Sequence, residues 1–233
     1  MRFFRKIIQK TGFDIHRYQK QADFWQYLNS LNIKTILDIG ANVGQFAKEA
    51  REKIPEVMIY SFEPLKEIYQ KLNKEFKTDK RFQSFNFALG DKTEKIIMNK
   101  SSYSPSSSIL SMSDNHKRLF PHTKEHTEEI IYVKRLDDMS INIKLDREIL
   151  IKIDVQGFEN KVIDGGVNTF KISKVILIEN SFIELYKDQA TFDKTYQKLK
   201  SLDFVYNGSL QQKVNKETGE IISQDSIFLK QEL

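Results

Sequence analysis

Short apolar runs alternate with amphipathic stretches from residue 33 onward, a pattern typical of parallel β-α units. The apolar runs predict five strands: Thr35–Ile39, Met58–Phe62, Phe82–Ala88, Ile149–Asp154 and Val175–Glu179. The helical periodicity predicts five helices: Asp23–Leu31, Gln45–Lys53, Leu65–Phe76, Phe158–Gly165 and Ile183–Leu202. Two further strands, Phe204–Tyr206 and Ser226–Leu229, flank a turn-rich stretch and predict a hairpin at the end of the chain. We therefore expect an α/β fold with a mostly parallel sheet and an antiparallel C-terminal hairpin.

The first strand runs into a glycine turn that contains Asp38, Gly40, Asn42 and Gly44. A strand, a tight turn and a helix N-terminus in this order offer backbone N–H groups to a ligand. A dinucleotide site would require glycine at position 42, where the backbone must approach a pyrophosphate, so Asn42 disfavours NAD and FAD. S-adenosylmethionine has no diphosphate. Its methionine part could contact the backbone at Gly40, with Asp38 near its ammonium group.

An acidic residue, Glu63, ends the second predicted strand. In nucleoside-binding α/β folds an acid roughly twenty residues past the glycines accepts hydrogen bonds from both ribose hydroxyls. Ala88 and Leu89 follow the third strand, where we expect the adenine ring to meet mainly backbone. A solvated strand-end acid and two ordinary core side chains are the alternatives at these positions.

A second candidate centre lies at the ends of the fourth and fifth strands, with Lys152 and Asp154 on one and Glu179 and Asn180 on the other. Parallel strand ends share one edge of the sheet, so Asp154 is expected to face the methyl donor or a substrate hydroxyl. Oxygen ligands from Asp154, Glu179 and Asn180 could hold Mg²⁺, which would acidify that hydroxyl. The alternative is that Glu179 caps a backbone group or pairs with Lys152.

A long serine-rich stretch, Lys100 to Glu128, interrupts the β-α pattern. Long loops inside compact domains are usually functional or disordered, so this stretch is either a substrate lid or a flexible insertion. His116 lies within it and is a candidate general base, because an imidazole titrates near neutral pH.

Taken in order, six motifs of this chain resemble those of the FkbM family of S-adenosylmethionine-dependent methyltransferases. They are Asp-Ile-Gly-Ala-Asn-Val-Gly from Asp38, Phe62-Glu63-Pro64, Ala88-Leu89-Gly90-Asp91, Ser107-Ser108-Ile109-Leu110, Val133 to Asp138, and Ile151 to Glu159. The resemblance implies a class I methyltransferase (Rossmann-like) fold, with a mostly parallel seven-stranded sheet, an antiparallel C-terminal hairpin and helices on both faces. It also implies methyl transfer to a hydroxyl of a sugar, another polyhydroxylated small molecule or a glycan.

Under this resemblance residues 33–233 form the methyltransferase domain, with 101–128 as its serine-rich lid or insertion and 1–32 as a basic helical extension. Asp38, Gly40, Asn42 and Gly44 would hold the methionine part of the cofactor, Glu63 the ribose, and Ala88 and Leu89 the adenine. Asp154 is the first choice for positioning at the reaction centre, followed by Lys152 and His116.

The composition of the chain excludes several kinds of site and partner. The chain has no cysteine, which excludes disulfides, thiolate catalysis and cysteine-ligated zinc. A net charge of +5 is spread among nearly as many acids, so no nucleic-acid partner is expected. The chain has neither a membrane-spanning run nor a signal-peptide core, which predicts a cytoplasmic protein. The basic first twenty residues would form a helix with one apolar face, for contact with an anionic membrane or with the domain itself.

Two other functions stay open. A ribose 2′-O-methyltransferase acting on RNA is compatible with Lys152 and Asp154, and basic residues clustered beside the pocket would favour it. A non-catalytic nucleoside-binding or partner-docking module would bind the cofactor without turnover. The sequence does not determine the acceptor, the general base or the oligomeric state.

Overall fold

A computed structural model describes residues 23–101, 107–120 and 126–231 of the chain. The basic N-terminal segment for which we predicted membrane contact lies outside the described residues. The helices are α1 Phe24–Ser30, α2 Gln45–Lys53, α3 Lys66–Glu75, α4 Asp114–Leu119, α5 Leu136–Ser140, α6 Glu159–Gly165, α7 Val167–Lys171 and α8 Phe192–Lys200. The strands are β1 Thr35–Ile39, β2 Met58–Phe62, β3 Phe82–Phe85, β4 Ala88–Leu89, β5 Glu94–Ser101, β6 His126–Lys134, β7 Ile149–Ile153, β8 Val175–Ser181, β9 Phe204–Val214 and β10 Ile221–Lys230.

Seven strands form the main sheet in the order β3-β2-β1-β7-β8-β10-β9. Strand β1 pairs in parallel with both β2 and β7, with Thr35 opposite Met58 on one side and Ile149 on the other. Strand β10 runs antiparallel to β8 and β9. The expected class I methyltransferase arrangement, a mostly parallel sheet that ends in an antiparallel hairpin, is therefore confirmed.

Helices cover both faces of this sheet because successive strand residues point to opposite sides. Leu37 and Ile151 pack in one core cluster with Val162 of α6. Ile36 packs in a second cluster with Ala47 of α2. Each of these apolar side chains is buried, which stabilises the fold by about 1.5–3 kcal/mol for each fully buried large side chain.

A second sheet of three strands, β4-β6-β5, was not predicted. The sequence pattern predicted one strand over residues 82–88, but β3 ends at Phe85. The side-chain amide of Asn86 donates to the carbonyl oxygens of Glu63 and Pro64, at 3.0 and 2.9 Å. These bonds turn the chain, so Ala88 and Leu89 pair with β6 in the second sheet instead of continuing β3.

The predicted helix Ile183–Leu202 was too long at its N-terminal end, since α8 begins only at Phe192. The side-chain oxygen of Gln189 accepts the backbone N–H groups of Leu185 and Tyr186. Asp188 adopts a positive φ of 63°. A side chain that satisfies nearby backbone groups competes with helix formation, and here it forms a compact loop beside the ends of the strands.

The parallel strands β1, β2 and β7 bring their carboxyl ends to one edge of the sheet. Just beyond the ends of β1 and β7 the two backbones lie close together, since a Cβ added at Gly40 would lie 1.9 Å from the carbonyl oxygen of Asp154. Only glycine permits this contact, and its φ of 79° also favours glycine. Within the described ranges, helices are all too short or too polar to cross a membrane.

Candidate active site

The glycine turn after β1 uses its backbone N–H groups internally. Gly40 and Ala41 donate to the carbonyl of Phe62, at 3.1 and 3.0 Å, and Gly44 donates to the carbonyl of Ala41 at 2.9 Å. The amide of Asn42 donates to the Glu63 carboxylate at 3.0 Å. We expected this turn to offer free N–H groups to a ligand, and at these positions that expectation was wrong. The N–H groups of Gly40, Ala41 and Asn42 instead tie the turn to the end of β2, and that of Gly44 closes the turn itself.

Gly44 has a packing role. It precedes α2 with a φ of 92°, and an added Cβ would lie 2.6 Å from the ring of Phe76 and 2.8 Å from Leu72. Gly44 is not among the residues that line the cavity at the strand ends, whereas Gly40 and Asn42 are. The two glycines of the motif thus serve different purposes.

That cavity, which we call the inner cavity, has a volume of about 670 Å³ including space open to solvent. Its polar lining includes Asn42, Glu63, Ser107, Asp154 and Gln156. Its apolar lining consists of Ile39, Phe62, Pro64, Leu65, Ala88, Leu89, Met98, Ile109, Val155 and Phe158.

Glu63 is the most buried acid of the inner cavity, with 6% of its surface exposed. Its two carboxylate oxygens accept the backbone N–H groups of Leu65 at 2.9 Å and Asn42 at 3.0 Å. Burial raises the pKa of Glu63 to about 7, although these two hydrogen bonds oppose the shift. Each carboxylate oxygen retains acceptor capacity, so Glu63 can still accept hydroxyl donors from the cavity.

Ala88 and Leu89 are buried and lie in the wall of the inner cavity. They reach it from β4 of the second sheet, not from the third strand of the main sheet as predicted. Their neighbours Leu65 and Met98 extend an apolar surface around them. A flat, uncharged ring system is the kind of group that such a surface accommodates.

Asp38 and Lys152 form a buried ion pair beneath the inner cavity. The ammonium of Lys152 lies 3.6 Å from Oδ1 of Asp38 and 3.7 Å from Oδ2 of Asp154, and it donates to the carbonyl of Gly40 at 3.4 Å. Asp38 is fully buried and does not line the inner cavity. Its carboxylate contacts Lys152 and the hydroxyl of Ser61 instead. Burial raises the pKa of Asp38 although the charge of Lys152 lowers it.

The charge of Lys152 is maintained by its neighbours. Burial opposes the ammonium form, but the carboxylates of Asp154 and Asp38 outweigh it and raise the pKa of Lys152 above its ordinary value. Lys152 therefore stays cationic and positions the end of β7 against the glycine turn.

Asp154 and Glu179 are joined by the side chain of Gln156. The amide nitrogen of Gln156 donates to Oδ1 of Asp154 and to Oε2 of Glu179, both at 2.7 Å. Its amide oxygen accepts the hydroxyl of Tyr186 at 2.9 Å. Partial burial opposes ionisation of Asp154, but Lys152 and Gln156 hold the pKa of its carboxyl below the usual value. Burial and the charge of Asp154 raise the pKa of Glu179 to about 8.

The magnesium site that we predicted at Asp154, Glu179 and Asn180 does not fit this geometry. The amide nitrogen of Gln156, which is a donor, lies between the two carboxylates where a cation would need oxygen ligands. Among the described residues, no group of three or more histidine, aspartate or glutamate side chains is arranged to hold a metal ion. Asn180 is buried on β8, and its side-chain oxygen has no hydrogen-bond partner among the described residues.

The described part of the serine-rich stretch packs over the strand ends. Ser107 lies in the wall of the inner cavity, and Ser108 donates from its hydroxyl to the backbone carbonyl of Gln156 at 2.6 Å. Ser113 caps α4, whose His116 is buried against the ring of Tyr186, with 4.9 Å between ring centres. The proposed roles of this stretch as a lid and of His116 as a base remain predictions.

A second opening, which we call the outer cavity, adjoins the inner one. Gln156 lines both, and Glu179, His116 and Tyr186 line the outer cavity. The remaining lining is Arg118, Leu119, Phe120, Ser181, Leu185, Gln189, Lys213, Val214, Asn215, Lys216, Glu217, Thr218 and Ile222. The inner and outer cavities meet at Gln156, beside the carboxyl groups of Asp154 and Glu179. Such an arrangement can hold one reactant in each cavity, with the two in contact.

The sequence motifs predicted no site role for Gln156, Tyr186 or Lys213. The position of Gln156 after Asp154 was a usable signal, because it follows a strand end. Tyr186 lay in a segment predicted to be helical, and Lys213 lay beyond the predicted strand Phe204–Tyr206, so neither had a local signal.

Comparison with known proteins identifies the family of the chain. A family model described as the methyltransferase FkbM domain matches residues 38–206. The protein named 2-O-methyltransferase NoeI, from Sinorhizobium fredii, is 28% identical over 180 residues, which cover 73% of this chain and 72% of that protein.

Among solved structures, one described as a putative S-adenosylmethionine-dependent methyltransferase from Listeria monocytogenes resembles the fold with a TM-score of 0.50. The two share 11% identity, and the match covers 89% of this chain and 98% of that one. At this identity the similarity concerns the fold.

Proposed function

This chain belongs to the FkbM family of S-adenosylmethionine-dependent methyltransferases, and from that premise we propose that it methylates a hydroxyl of a sugar or another polyhydroxylated molecule. The observation that carries the proposal is the shared wall of the two cavities. Gln156 lines both cavities. Its amide nitrogen donates hydrogen bonds to Asp154 and to Glu179, and we call the place where these three side chains meet the junction. A donor in the inner cavity and a hydroxyl in the outer cavity would meet at this pair of carboxyl groups.

The inner cavity fits S-adenosylmethionine in its chemistry. Glu63 would accept the ribose hydroxyls, Ala88 and Leu89 would contact the adenine, and Gly40 and Asn42 would border the methionine part. When bound, this cofactor supplies a methyl group on a positively charged sulfur. Asp154 lines the same cavity with 40% of its side chain exposed, and its carboxylate would favour a cation there.

The carboxyl pair would receive the proton that the acceptor hydroxyl loses. Methyl transfer forms a carbon–oxygen bond and breaks the carbon–sulfur bond, so the hydroxyl proton must move to a base. Because the pKa of Glu179 is about 8, this group becomes available as a base as the pH rises toward 8. We expect kcat to increase over the same range. The donor set at the junction does not fit a metal ion, so the proposal includes no metal-dependent step.

The outer cavity supports a hydroxyl-rich acceptor. Amide and hydroxyl side chains line it, among them Gln189, Asn215 and Thr218, together with the aromatic rings of Phe120 and Tyr186. Hydroxyl groups need such donors and acceptors to replace their bonds to water. The name of the NoeI relative, a 2-O-methyltransferase, supports oxygen as the acceptor atom.

The test is methyl transfer from labelled S-adenosylmethionine to a panel of monosaccharides, nucleotide sugars and oligosaccharides, with products identified by mass spectrometry. We expect one class of hydroxylated acceptor to be methylated and Glu179→Gln to reduce kcat at least about tenfold. Glu220→Gln on the exposed end of the hairpin is the matched control, because Glu220 lines neither cavity. Cofactor binding with no methylation of any acceptor would favour the non-catalytic module, and methylation of RNA alone would favour the ribose methyltransferase.

A further inference from the structure

The rim of the outer cavity carries three cationic side chains from two separate parts of the chain. Arg118 lies on α4, Lys213 lies near the end of β9, and Lys216 lies in the turn that follows. All three are exposed, whereas Gln156 and Glu179 at the junction are partly buried. The cavity therefore has a cationic entrance and a carboxyl-amide floor.

Protein groups neutralise these cations only in part. Arg118 donates to the uncharged amide of Asn115 at 3.4 Å. The ammonium of Lys213 lies 3.6 Å from Oε1 of Glu179 and 5.4 Å from the ring centre of Phe120, with 51% of its side chain exposed.

The acids of the same lining do not balance the cations. Among the described residues of the lining, the acidic ones are Glu179 and Glu217, set against Arg118, Lys213 and Lys216. Because burial and the charge of Asp154 raise the pKa of Glu179 to about 8, that carboxyl is largely protonated at neutral pH and compensates Lys213 only weakly. An excess of positive charge remains at the rim.

We propose that the acceptor carries an anionic group, a phosphate or a carboxylate, which Arg118, Lys213 and Lys216 bind while the reacting hydroxyl reaches Gln156 and Glu179. This inference rests on the proposed function and names the class of acceptor, an anionic saccharide. The guanidinium of Arg118 can bind a phosphate or carboxylate through two parallel hydrogen bonds. Lys213 would exchange its contact with Glu179 for the acceptor anion, and this exchange would release Glu179 at the reaction centre.

A compact anion suits this rim better than a nucleic-acid strand does. Strands bind along extended basic grooves that follow successive phosphates and that carry aromatic platforms for the bases. Here the three cations line a single cavity, and Glu217 lines it with them.

The experiment is calorimetric titration of the full-length protein saturated with S-adenosylhomocysteine, using inorganic phosphate, glucuronate and uncharged glucose as probes. We expect phosphate and glucuronate to bind, to compete with each other and to weaken as sodium chloride is added, and glucose to bind at least about tenfold more weakly than glucuronate. The Arg118→Ala/Lys213→Ala double variant should bind glucuronate about tenfold more weakly than the wild type. Lys117→Ala is the matched control, because Lys117 neighbours Arg118 on α4 but does not line the outer cavity.

Equal binding of glucose and glucuronate, or unchanged glucuronate binding by a folded double variant, would overturn the proposal. Much tighter binding of a uridine oligonucleotide than of phosphate, lost in the double variant, would also overturn it in favour of an RNA acceptor. Failure of the wild type to bind S-adenosylhomocysteine would contradict the proposed function instead, and the probes would still report on the rim in the free protein.

Discussion

The amide nitrogen of Gln156 lies 2.7 Å from the Oε2 atom of Glu179, and the same nitrogen lies 2.7 Å from Asp154. Gln156 holds this position in a left-handed backbone conformation, with φ of 54°. Its carbonyl accepts the hydroxyl of Ser108 and its side-chain oxygen accepts that of Tyr186. A residue held through both its backbone and its side chain in this way keeps the two carboxyl groups close together.

Replacing Gln156 with glutamate should reduce the rate of methyl transfer. The change removes the donor that joins Asp154 and Glu179 and adds a third carboxyl group, whose repulsion raises the pKa values of all three. We expect kcat to fall at least about tenfold with S-adenosylmethionine binding retained. Steady-state kinetics would measure this, with Gln197→Glu on the exposed face of α8 as the control.

The same geometry predicts that the wild-type enzyme does not depend on Mg²⁺. Activity should be unchanged after treatment with EDTA, since a protein amide occupies the place between Asp154 and Glu179. Loss of activity with EDTA that Mg²⁺ restores would contradict our interpretation of the donor set.

The Glu63→Ala variant should lose affinity for S-adenosylmethionine. Each hydrogen bond contributes about 0.5–1.5 kcal/mol, so losing the bonds to the two ribose hydroxyls should weaken binding by about tenfold. The change also leaves the N–H groups of Asn42 and Leu65 without the acceptor that they use in the native protein. Calorimetry measures the affinity, and Glu75→Ala, on the exposed surface of α3, should bind like the wild type. Equal affinity in the Glu63 variant would show that the ribose binds elsewhere.

Lys152→Met should destabilise the protein strongly, because Asp38 would remain fully buried beside a neutral side chain. Removing one partner of a buried ion pair costs about 3–5 kcal/mol of the free energy of unfolding. The Asp38→Asn/Lys152→Met double variant should recover part of that loss, since no uncompensated carboxylate remains at position 38. Urea unfolding of the wild type, both single variants and the double variant forms a complete cycle. Strict additivity of the two single effects would show that the two side chains do not interact.

Ionisation of Glu159 should make the ligand-free protein less stable to unfolding as the pH rises. Its carboxyl accepts the N–H groups of Gly157 and Val155, and burial raises its pKa from 4.5 to about 7. Between these two values the folded chain holds a proton that the unfolded chain releases. The stabilising contribution is therefore fully present below about pH 4.5 and is lost as the pH approaches 7, by about 3 kcal/mol in total.

The Glu159→Gln variant isolates this effect. The amide oxygen of glutamine can accept the same two N–H groups without ionising, so the decline in stability between pH 4.5 and 7 should be smaller than in the wild type. Thermal or urea unfolding across this range measures it. Parallel stability curves for the two proteins would show that Glu159 does not titrate in this range.

Much of the fold follows from local pattern. The apolar runs at residues 35–39 and 58–62 have the same bounds in the structure as in the prediction, because a strand buried on both faces needs continuous apolar residues. Parallel pairing then places Gly40, Glu63 and Asp154 at one edge, so these cavity residues were predictable. The strands of the second sheet were not recognised, and β5 has partly exposed residues along most of its length and no uniform apolar run.

The sequence by itself determined the order of the main-sheet strands along the chain, the residues that end the central strands, and membership of a methyltransferase family. Only the tertiary structure decided which polar groups meet: the glycine-turn N–H groups bind Phe62 and Glu63, Asp38 binds Lys152, and Gln156 lies between Asp154 and Glu179. The physical reason is the range of the interactions. Hydrophobic periodicity acts within a segment, whereas these hydrogen bonds and ion pairs join side chains from different strands and loops, whose paths are set only when the whole core packs.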